Sequence, residues 1–384
     1  MSTADASQLR KRAHEEAPAY LATLQALVEQ ESPSSDAAAG DALASLLTGI
    51  LTEHGWEVER HARSEVGDIV LARWPLVGDG PSTLLLAHYD TVWPLGTLAE
   101  MPFTRDGDVV RGPGVLDMKA GITTAIHAVR LAADHGPLLG PVTLLVTSDE
   151  EIGAKHSQPL IEAEAQRHDR VLVVEPGADE GAYKVGRKGV GDMIVTLTGI
   201  PAHAGLEPQV GASALRELAH LVLYAEDLND YERGTTVNVT VARGGTTGNV
   251  IAETATANLD MRVLLEEESG RVEEALHAYQ PRDARVKIAW SGGFNRPPLE
   301  STTANLALQS VAKEKVAAMG LPWSEAVVGG ASDGNFTSAM GIATLDGLGS
   351  VGSGAHARHE HIVLSATLDR LAVVASLVVA EPEG

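Results

Sequence analysis

The chain has 384 residues, a length that favours two domains over one. Its formal net charge of -23 argues against nucleic acid as a partner, because a phosphate backbone attracts a basic surface. Cysteine is absent, which excludes disulfides, thiolate metal ligands and cysteine nucleophiles. No apolar run approaches the ~20 residues of a membrane span, and the N-terminal residues lack the apolar core of a signal peptide, so we expect a cytoplasmic protein without a membrane partner.

The predicted elements begin with two helical segments between Gln8 and about Gly55, separated at Pro33. Strands and helices alternate after them. The apolar runs DIVLARW, STLLLAH, PVTLLVTS and RVLVVEP are predicted as strands, and helices are expected at residues 119–134 and 157–166. Continuous apolar strands separated by helices indicate a mostly parallel sheet that is covered on both faces.

The pattern changes near Gly186. The segments VGDMIVTLTG, TTVNVTVARGG and ETATANLDMRVLL alternate apolar with polar or β-branched residues, which is typical of half-exposed antiparallel strands. Helices are predicted at 212–227 and 267–279, and the segment SGGFNRPP is predicted as the loop that ends this region. The first pattern then returns, with helices at 303–319 and over LSATLDRLAVVASLVVA and a short strand in IATLDGL. We therefore predict an α/β fold, with a first domain at 1–185 and 295–384 and an inserted α+β domain at 186–294.

Side chains suited to metal binding follow several of the predicted apolar runs. They are His88, Asp117, the adjacent pair Glu150 and Glu151, Glu175, and His356. Ligands of a parallel sheet gather at the carboxyl ends of its strands, so we expect most of these side chains at one edge. Histidine and carboxylate ligands without a thiolate favour a hydrolytic zinc site over a structural one.

The first two of these residues also have ordinary structural explanations. A histidine after a strand, such as His88, is most often a polar group satisfied by local hydrogen bonds. Asp90, two residues further on, could hold the second nitrogen of its imidazole. Asp117 lies in a glycine-flanked turn before a helix, where aspartate commonly caps the helix; the alternative is a carboxylate that bridges two metal ions.

The remaining carboxylates and the last histidine leave similar alternatives. Glu150 and Glu151 could be two solvated acids at a helix start, although adjacent carboxylates repel unless a cation lies near them. Glu175 ends a strand that is predicted to be buried, where an uncompensated charge is costly, so a metal ion or an arginine would compensate it. The gap of three residues before Glu360 favours His356 as the ligand in its loop, although His359 competes with it and the segment could also be a solvated loop.

The motifs in this order resemble the zinc-dependent family of aminoacylases, succinyl-diaminopimelate desuccinylases and glutamate carboxypeptidases, most closely its bacterial glutamate carboxypeptidase branch. The matching blocks are HYDTVWPLGTL, RGPGVLDMKAGI, TSDEEIG, VEPG, GIPAHAGLEPQVGASAL, GNVIAETATANLDMR, GGASDGNF and GAHARHE, from about Leu84 to the C-terminus. The resemblance implies two Zn2+ ions per chain, for which Co2+ or Mn2+ could substitute. It assigns His88 and Glu175 to one ion, Glu151 and His356 to the other, Asp117 to both, and Glu150 with Asp90 to the catalytic group, Glu150 as general base.

The resemblance also implies a lid domain inserted in the catalytic domain, and a homodimer formed through that lid. Three lid residues are expected to contact the substrate. His203 would stabilise the tetrahedral oxyanion with the help of Asn249, and Arg262 would bind a substrate carboxylate with its planar fork. The structural alternatives are a surface ion pair of Arg262 with Glu266 or Glu267, and an ordinary loop position for His203.

The expected activity is metal-dependent hydrolysis of the amide bond in an N-acyl amino acid or small peptide with a free C-terminal carboxylate. Zinc would polarise the carbonyl and acidify a water, and Glu150 would move that proton to the leaving amine. A dipeptidase or desuccinylase of the same family is the first alternative. A non-catalytic binding protein on this fold is the second, although such a protein would be expected to have lost a ligand or the base, and this sequence has them all.

Overall fold

The structure is a computed structural model that describes residues 3–75 and 78–380. The chain forms two compact units. Unit 1 contains the described residues up to Gly186, Ser301–Val328, and the described residues from Ser332 onward, whereas unit 2 contains Arg187–Glu300 and Gly329–Ala331. Among the described residues, no helix has both the length and the apolar character that crossing a membrane requires.

Unit 1 begins with three helices: α1 (Thr3–Glu15), α2 (Ala17–Glu29) and α3 (Ala37–Glu53). The sequence predicted two helices here, and that prediction was wrong in one respect, because the first helix is divided at Glu16. Pro18 lies in the first turn of α2, where its missing N–H breaks no helical hydrogen bond. Asp36 caps α3 by accepting the N–H of Ala39 at 3.0 Å.

The next elements of unit 1 include the four strands that were predicted from apolar runs, here β2, β3, β6 and β7. In chain order the elements are β1 (Glu57–His61), β2 (Ile69–Arg73), β3 (Thr83–His88), α4 (Thr97–Glu100), β4 (Thr104–Asp106), β5 (Val109–Arg111), α5 (Ala120–His135), β6 (Val142–Thr147), α6 (Gln158–Ala165), β7 (Arg170–Val173) and β8 (Tyr183–Arg187). Strands β1, β4, β5 and β8 were not predicted, because they are short or carry mostly polar residues.

Unit 2 is a four-stranded antiparallel sheet with two helices. Its elements are β9 (Gly189–Thr198), α7 (Ala214–Glu226), β10 (Thr236–Gly244), β11 (Thr254–Val263), α8 (Glu266–Ala278) and β12 (Lys287–Arg296), and the strand order is β10-β11-β9-β12. Val195 and Leu197 of β9 pack with Leu221 of α7 and Leu276 of α8 in one core. Strand β12 corrects the sequence prediction of a loop in SGGFNRPP: its glycines hide the alternating pattern, and Gly292 has a positive φ.

The remaining elements return to unit 1 and complete a mainly parallel central sheet, which confirms the predicted fold class. They are α9 (Thr303–Ala318), β13 (Glu325–Val328), α10 (Gly334–Ala339), β14 (Ala343–Leu345), β15 (Gly352–Ser353), β16 (His361–Val363) and α11 (Leu364–Val378). The central sheet has the order β1-β2-β6-β3-β7-β14. Strands β6, β3, β7 and β14 run parallel, and β2 and β1 continue the sheet in antiparallel pairs.

Both faces of the central sheet are covered. Leu85 of β3 lies in the larger hydrophobic core, together with residues of α1, α2, α3, α5 and α11. Its neighbours Leu84 and Leu86 point to the opposite face, where Ile161 of α6 and Phe336 of α10 complete a second core. All six residues of β3 are buried, which is why this strand reads as a continuous apolar run.

Candidate metal centre

Strands β3, β6 and β7 bring three polar segments to the same edge of the central sheet. His88 is the last residue of β3, the pair Glu150 and Glu151 follows β6, and Glu175 follows β7. Because β3 pairs in parallel with both of the other strands, their carboxyl ends lie side by side.

His88 is buried and contacts two carboxylates through one nitrogen. Its Nε2 atom lies 3.2 Å from Oε1 of Glu175 and 3.3 Å from Oδ1 of Asp117. Its Nδ1 atom lies 3.0 Å from the backbone oxygen of Asp90 and 3.4 Å from the carboxylate of that residue. Asp90 therefore holds the second imidazole nitrogen, with its backbone oxygen as the closer partner, and this directs Nε2 toward the cluster.

Asp90 is assigned by the sequence to the catalytic group, but its carboxylate is engaged elsewhere. One oxygen accepts the N–H of Glu150 and the other accepts the N–H of Glu151, each at 3.1 Å. The Ser34 hydroxyl donates to it at 2.6 Å. Asp90 thus fixes the backbone of the glutamate pair, so its structural contribution is positional.

Asp117 lies between the two histidines of the cluster. Its Oδ2 atom is 3.4 Å from Nε2 of His356, whereas its Oδ1 faces His88. Oδ1 is buried and has no hydrogen-bond partner within the described part of the chain. The capping alternative is wrong, because α5 begins at Ala120 after Lys119 and no side chain caps it. A buried carboxylate oxygen without a donor is an atom that a cation would satisfy.

His356 completes the cluster from a distant segment of the chain. Its Nε2 atom lies 3.1 Å from Oε1 of Glu151. The backbone of His356 has a φ of 60°, and Gly354 before it has a φ of 88°, so the loop bends sharply into the cluster. His359, the competing residue from the sequence, lies in the same loop; both histidines are exposed, and His356 is the one that contacts Asp117 and Glu151.

The protonation of the cluster reflects burial and mutual contacts. Burial raises the pKa of Glu151 to about 7, with the neighbouring carboxylates of Asp117 and Glu150 adding to the effect and the hydrogen bond to His356 opposing it. Hydrogen bonds with Asp117 and Glu151 raise the pKa of His356 to about 10. Burial alone would lower the pKa of His88, but its close contacts with the carboxylates of Asp117, Asp90 and Glu175 raise it well above the ordinary value.

The pKa of Asp117 is shifted in the opposite direction, because the same contacts between carboxylates and imidazoles favour its charged form. Burial acts to raise its pKa, but the close contacts with the imidazoles of His356 and His88 outweigh burial and hold the pKa well below the usual range. The carboxylates of Asp117, Glu151 and Glu175 outnumber the two imidazoles they contact. A divalent cation would balance this excess negative charge and release the protons that the imidazoles retain.

The donor atoms fit a metal ion. His88, Asp117 and Glu151 each offer one ligand atom, and these atoms lie within 4.8 Å of one another. Nitrogen and oxygen donors without sulfur are the set that hydrolytic zinc sites use. The side chains predicted from the sequence therefore converge in unit 1 on a group that is able to hold a metal.

Three further residues around the cluster were not assigned a role of their own from the sequence. They are Ser34, which donates to Asp90; Lys184, whose Nζ lies 3.8 Å from Oε2 of Glu175; and Glu360, which accepts backbone N–H groups of the Asp117 turn. The spacing of Glu360 from His356 was a usable signal for it. Ser34 and Lys184 lie in segments without a motif of their own.

Two of the predicted substrate-binding residues are neighbours in unit 2. His203 and Val250 form a backbone bridge, and the N–H of Ala204 donates to the oxygen of Asn249 at 2.9 Å. Nδ1 of His203 accepts the N–H groups of Gly205 and Leu206, both at 3.1 Å. The neutral ring therefore carries its proton on Nε2.

Arg262, the third, forms an ion pair that the sequence did not predict. Its Nε and Nη2 atoms bind the carboxylate of Asp260, which lies two residues earlier on β11, and Nη1 lies 3.4 Å from the oxygen of Gly329. The alternative partners Glu266 and Glu267 were wrong, because residues two apart on a strand share a face. Glu267 pairs with Arg233 instead.

A mainly parallel sheet with a histidine and carboxylate cluster at its strand ends is the arrangement expected of a metal-dependent hydrolase. The chain matches Peptidase family M20/M25/M40 over residues 84–380 and belongs to this family. It is 32% identical over 383 residues to carboxypeptidase G2 of Pseudomonas sp. (strain RS-16), with 96% of this chain and 91% of that protein covered. The resemblance inferred from the motifs is confirmed, and the chain is a member of a metallopeptidase family.

More distant similarities agree with this family. The chain is 28% identical over 340 residues to succinyl-diaminopimelate desuccinylase of Xanthomonas oryzae pv. oryzae (strain PXO99A), with 83% and 88% of the two chains covered. Its fold is similar to that of aminopeptidase PepT from Bacillus cereus ATCC 10987, with a TM-score of 0.78 at 21% identity and coverage of 94% and 97%. The second likeness concerns the fold alone.

Proposed function

We propose that this enzyme hydrolyses the amide bond of an N-acyl amino acid or small peptide that ends in a free carboxylate. The observation that carries the proposal is the position of Asp117 between His88 and His356, with Glu151 and Glu175 beside them. The name of the relative carboxypeptidase G2 supports a substrate with a C-terminal carboxylate. Glutamate is the first amino acid to test at that position, following the branch that the motifs resemble.

The cluster would hold two zinc ions. His88 and Glu175 would bind one, Glu151 and His356 the other, and Asp117 would contact both. Bound zinc supplies Lewis acidity, which polarises a carbonyl and lowers the pKa of water. The buried oxygen of Asp117 without a hydrogen-bond donor supports the bridging assignment.

Glu150 would act as the general base. Its backbone is fixed by Asp90, and it is buried next to Glu151. Its carboxylate would take a proton from the attacking water as the oxygen–carbon bond forms. It would then give that proton to the amide nitrogen as the carbon–nitrogen bond breaks, leaving a carboxylate and a free amine.

Residues of the inserted unit would bind the substrate at two places, the developing oxyanion and the free carboxylate. Nε2–H of His203 would donate to the developing oxyanion, since Nδ1 is already occupied by two backbone N–H groups. Asn249, whose backbone pairs with the His203 segment, would assist. Arg262 would bind the substrate carboxylate.

A substrate panel tests this function. We expect zinc-, cobalt- or manganese-loaded enzyme to cleave N-acyl glutamates, and to lose most of its kcat/KM when the α-carboxylate is converted to an amide. Equal rates on the free acid and the amide would contradict carboxylate recognition. N-succinyl diamino acids and dipeptides belong in the same panel, because the similarity to a desuccinylase makes that activity the second candidate.

Metal content tests the bridging assignment separately from activity. We expect Asp117→Ala to lower occupancy at both sites, whereas His88→Ala empties mainly one. Elemental analysis of the purified variants measures this. Two equivalents of metal per chain in Asp117→Ala would refute the bridge.

A further inference from the structure

Glu360, directly before β16, is 1% exposed and its carboxylate accepts four hydrogen bonds. Oε1 accepts the N–H of Leu116 at 2.9 Å and that of Asp117 at 3.1 Å. Oε2 accepts the N–H of Gly114 at 3.0 Å and the indole N–H of Trp93 at 2.8 Å. Because all four partners are donors, they are satisfied only by an ionised carboxylate.

Three of these donors belong to the turn that carries Asp117. The Asp117 carboxylate has Oδ1 3.3 Å from His88 and Oδ2 3.4 Å from His356. Its side chain has only two torsions with which to face both imidazoles, so the position of its backbone decides whether both contacts form together. Glu360 holds that backbone on one side, and the hydroxyl of Ser350 donates to the oxygen of Leu116 on the other.

Glu360 is also linked through the chain to His356. The N–H of Glu360 donates to the oxygen of Ala357 at 2.9 Å, and the N–H of Ala357 donates to Gly354 at 2.9 Å. The turn at residues 354–357 contains His356, and the turn at 357–360 follows it directly, so together they fix the path of the loop from His356 to Glu360. A displacement of Glu360 would therefore move the His356 loop relative to the Asp117 turn.

We propose that Glu360 is a positioning residue that fastens the Asp117 turn to the His356 loop and thereby sets the affinity of the cluster for metal ions. This inference rests on the proposed metal centre. Groups that hydrogen-bond to metal ligands typically change metal affinity by 10–100-fold when they are removed. Glu360 acts on the backbone of one ligand and on the loop of another, so we expect its loss to have an effect in that range.

The test is zinc binding to metal-free protein, measured by competition with a chromophoric chelator. Glu360→Gln keeps the size of the side chain but places an NH2 group against two donors in either orientation, so at least two hydrogen bonds are lost. We expect its zinc affinity to fall by roughly 10–100-fold. Trp93→Phe removes one donor and leaves the three backbone contacts, and we expect a smaller decrease.

Glu31→Gln is the matched control. The Glu31 carboxylate accepts the N–H groups of Gly96 and Leu98, each at 2.8 Å, in a loop without a proposed ligand. The chemical change is the same, so a general loss of stability would appear in both variants as a lower Tm. We expect the zinc affinity of Glu31→Gln to stay within the error of the wild-type value.

Wild-type zinc affinity in folded Glu360→Gln would overturn the proposal. If that variant does not fold, Trp93→Phe decides, and an affinity equal to that of Glu31→Gln would then count against a role of Glu360 in metal binding. Wild-type protein that binds no zinc would refute the metal centre itself, and the inference with it. Activity is not used as a readout, so the substrate assignment does not affect the result.

Discussion

Glu150 and Glu151 are adjacent in sequence but have different surroundings. Asp90 accepts the backbone N–H groups of both residues, and the carboxylate of Glu151 lies 3.1 Å from Nε2 of His356. We expect Glu150→Gln to keep its metal and to lose about 10²–10⁴-fold in kcat, because it removes proton transfer but no ligand. Glu151→Gln should lose metal as well. Metal content and kcat, measured on the same samples, distinguish the roles, and two variants with the same losses would show that this division is wrong.

Arg262 is half-exposed and already paired with Asp260, so its removal is expected to weaken substrate binding less than the loss of a buried, unpaired arginine would. We expect Arg262→Ala to raise KM for a substrate with a free carboxylate by an amount equivalent to about 1.5–3 kcal/mol, the range for hydrogen bonds to charged groups. The increase should disappear when the substrate carboxylate is amidated. Arg233→Ala, which removes another arginine of unit 2 that is paired with glutamate, serves as the control. A KM increase that persists with the amidated substrate would mean that Arg262 acts through the structure of unit 2.

At the residue scale, the sequence was sufficient to predict a candidate metal ligand where a histidine or carboxylate follows a predicted strand. His88, Glu151 and Glu175 follow continuous apolar runs, and parallel pairing brings them together. Glu360 could not be assigned a role in this way, because its partners are backbone N–H groups more than 240 residues earlier in the chain. Asp90 was predicted as a site residue, but its role could not be predicted, because it depends on the backbone N–H groups that its carboxylate accepts.

Among the elements, long apolar runs were predicted well and short or polar ones were not. All residues of strands β3 and β6 are buried, so their sequences are continuous apolar runs, and the strands predicted from these runs are present in the structure. Strand β12 was missed because Gly292 and Gly293 contribute no side chain to either face. The split between α1 and α2 depended on Pro18, which is compatible with a first turn as well as with a longer kinked helix.

Helix α5 carries a buried histidine that should make the stability of unit 1 depend on pH. Burial lowers the pKa of His127 from 6.5 to about 4, and His54 adds to the effect. His127 takes up a proton below pH 6.5 in the unfolded chain but only near pH 4 in the folded chain. Its contribution to the free energy of unfolding is therefore fully present above pH 6.5 and is lost as the pH falls toward 4. This difference in the pKa of His127 lowers the free energy of unfolding by about 2 kcal/mol between pH 7.5 and pH 5.

The measurement is urea unfolding of wild type and His127→Gln at several pH values. The variant retains a polar group near Thr23, which His127 contacts at 3.0 Å. We expect its stability to fall less than that of wild type between pH 7.5 and pH 5. His135→Gln, at the end of the same helix, should keep the wild-type pH dependence. Parallel curves for wild type and His127→Gln would show that the acid loss of stability has another source.

In the whole molecule, the proposed chemistry draws on both units. The metal cluster is formed by unit 1, whereas His203, Asn249 and Arg262 belong to unit 2. Strand β10 forms one edge of the unit 2 sheet and is largely exposed, and an exposed edge strand is a surface on which a second copy can pair. The homodimer through the inserted unit that the family resemblance implies would give this edge a partner. In such a dimer, His203 of one chain could serve the cluster of the other.

Mixing inactive variants tests this arrangement. If His203 acts in the partner's site, a dimer of one Glu150→Gln chain and one His203→Ala chain contains one complete site, formed by Glu150 of the second chain and His203 of the first. Random exchange makes half of the dimers mixed, so we expect about a quarter of the wild-type rate. A mixture of Glu150→Gln and His88→Ala chains should stay inactive, because both changes lie in unit 1 and no complete site can form. If exchange is confirmed by mass labelling and no activity returns, His203 serves its own chain or has no catalytic role.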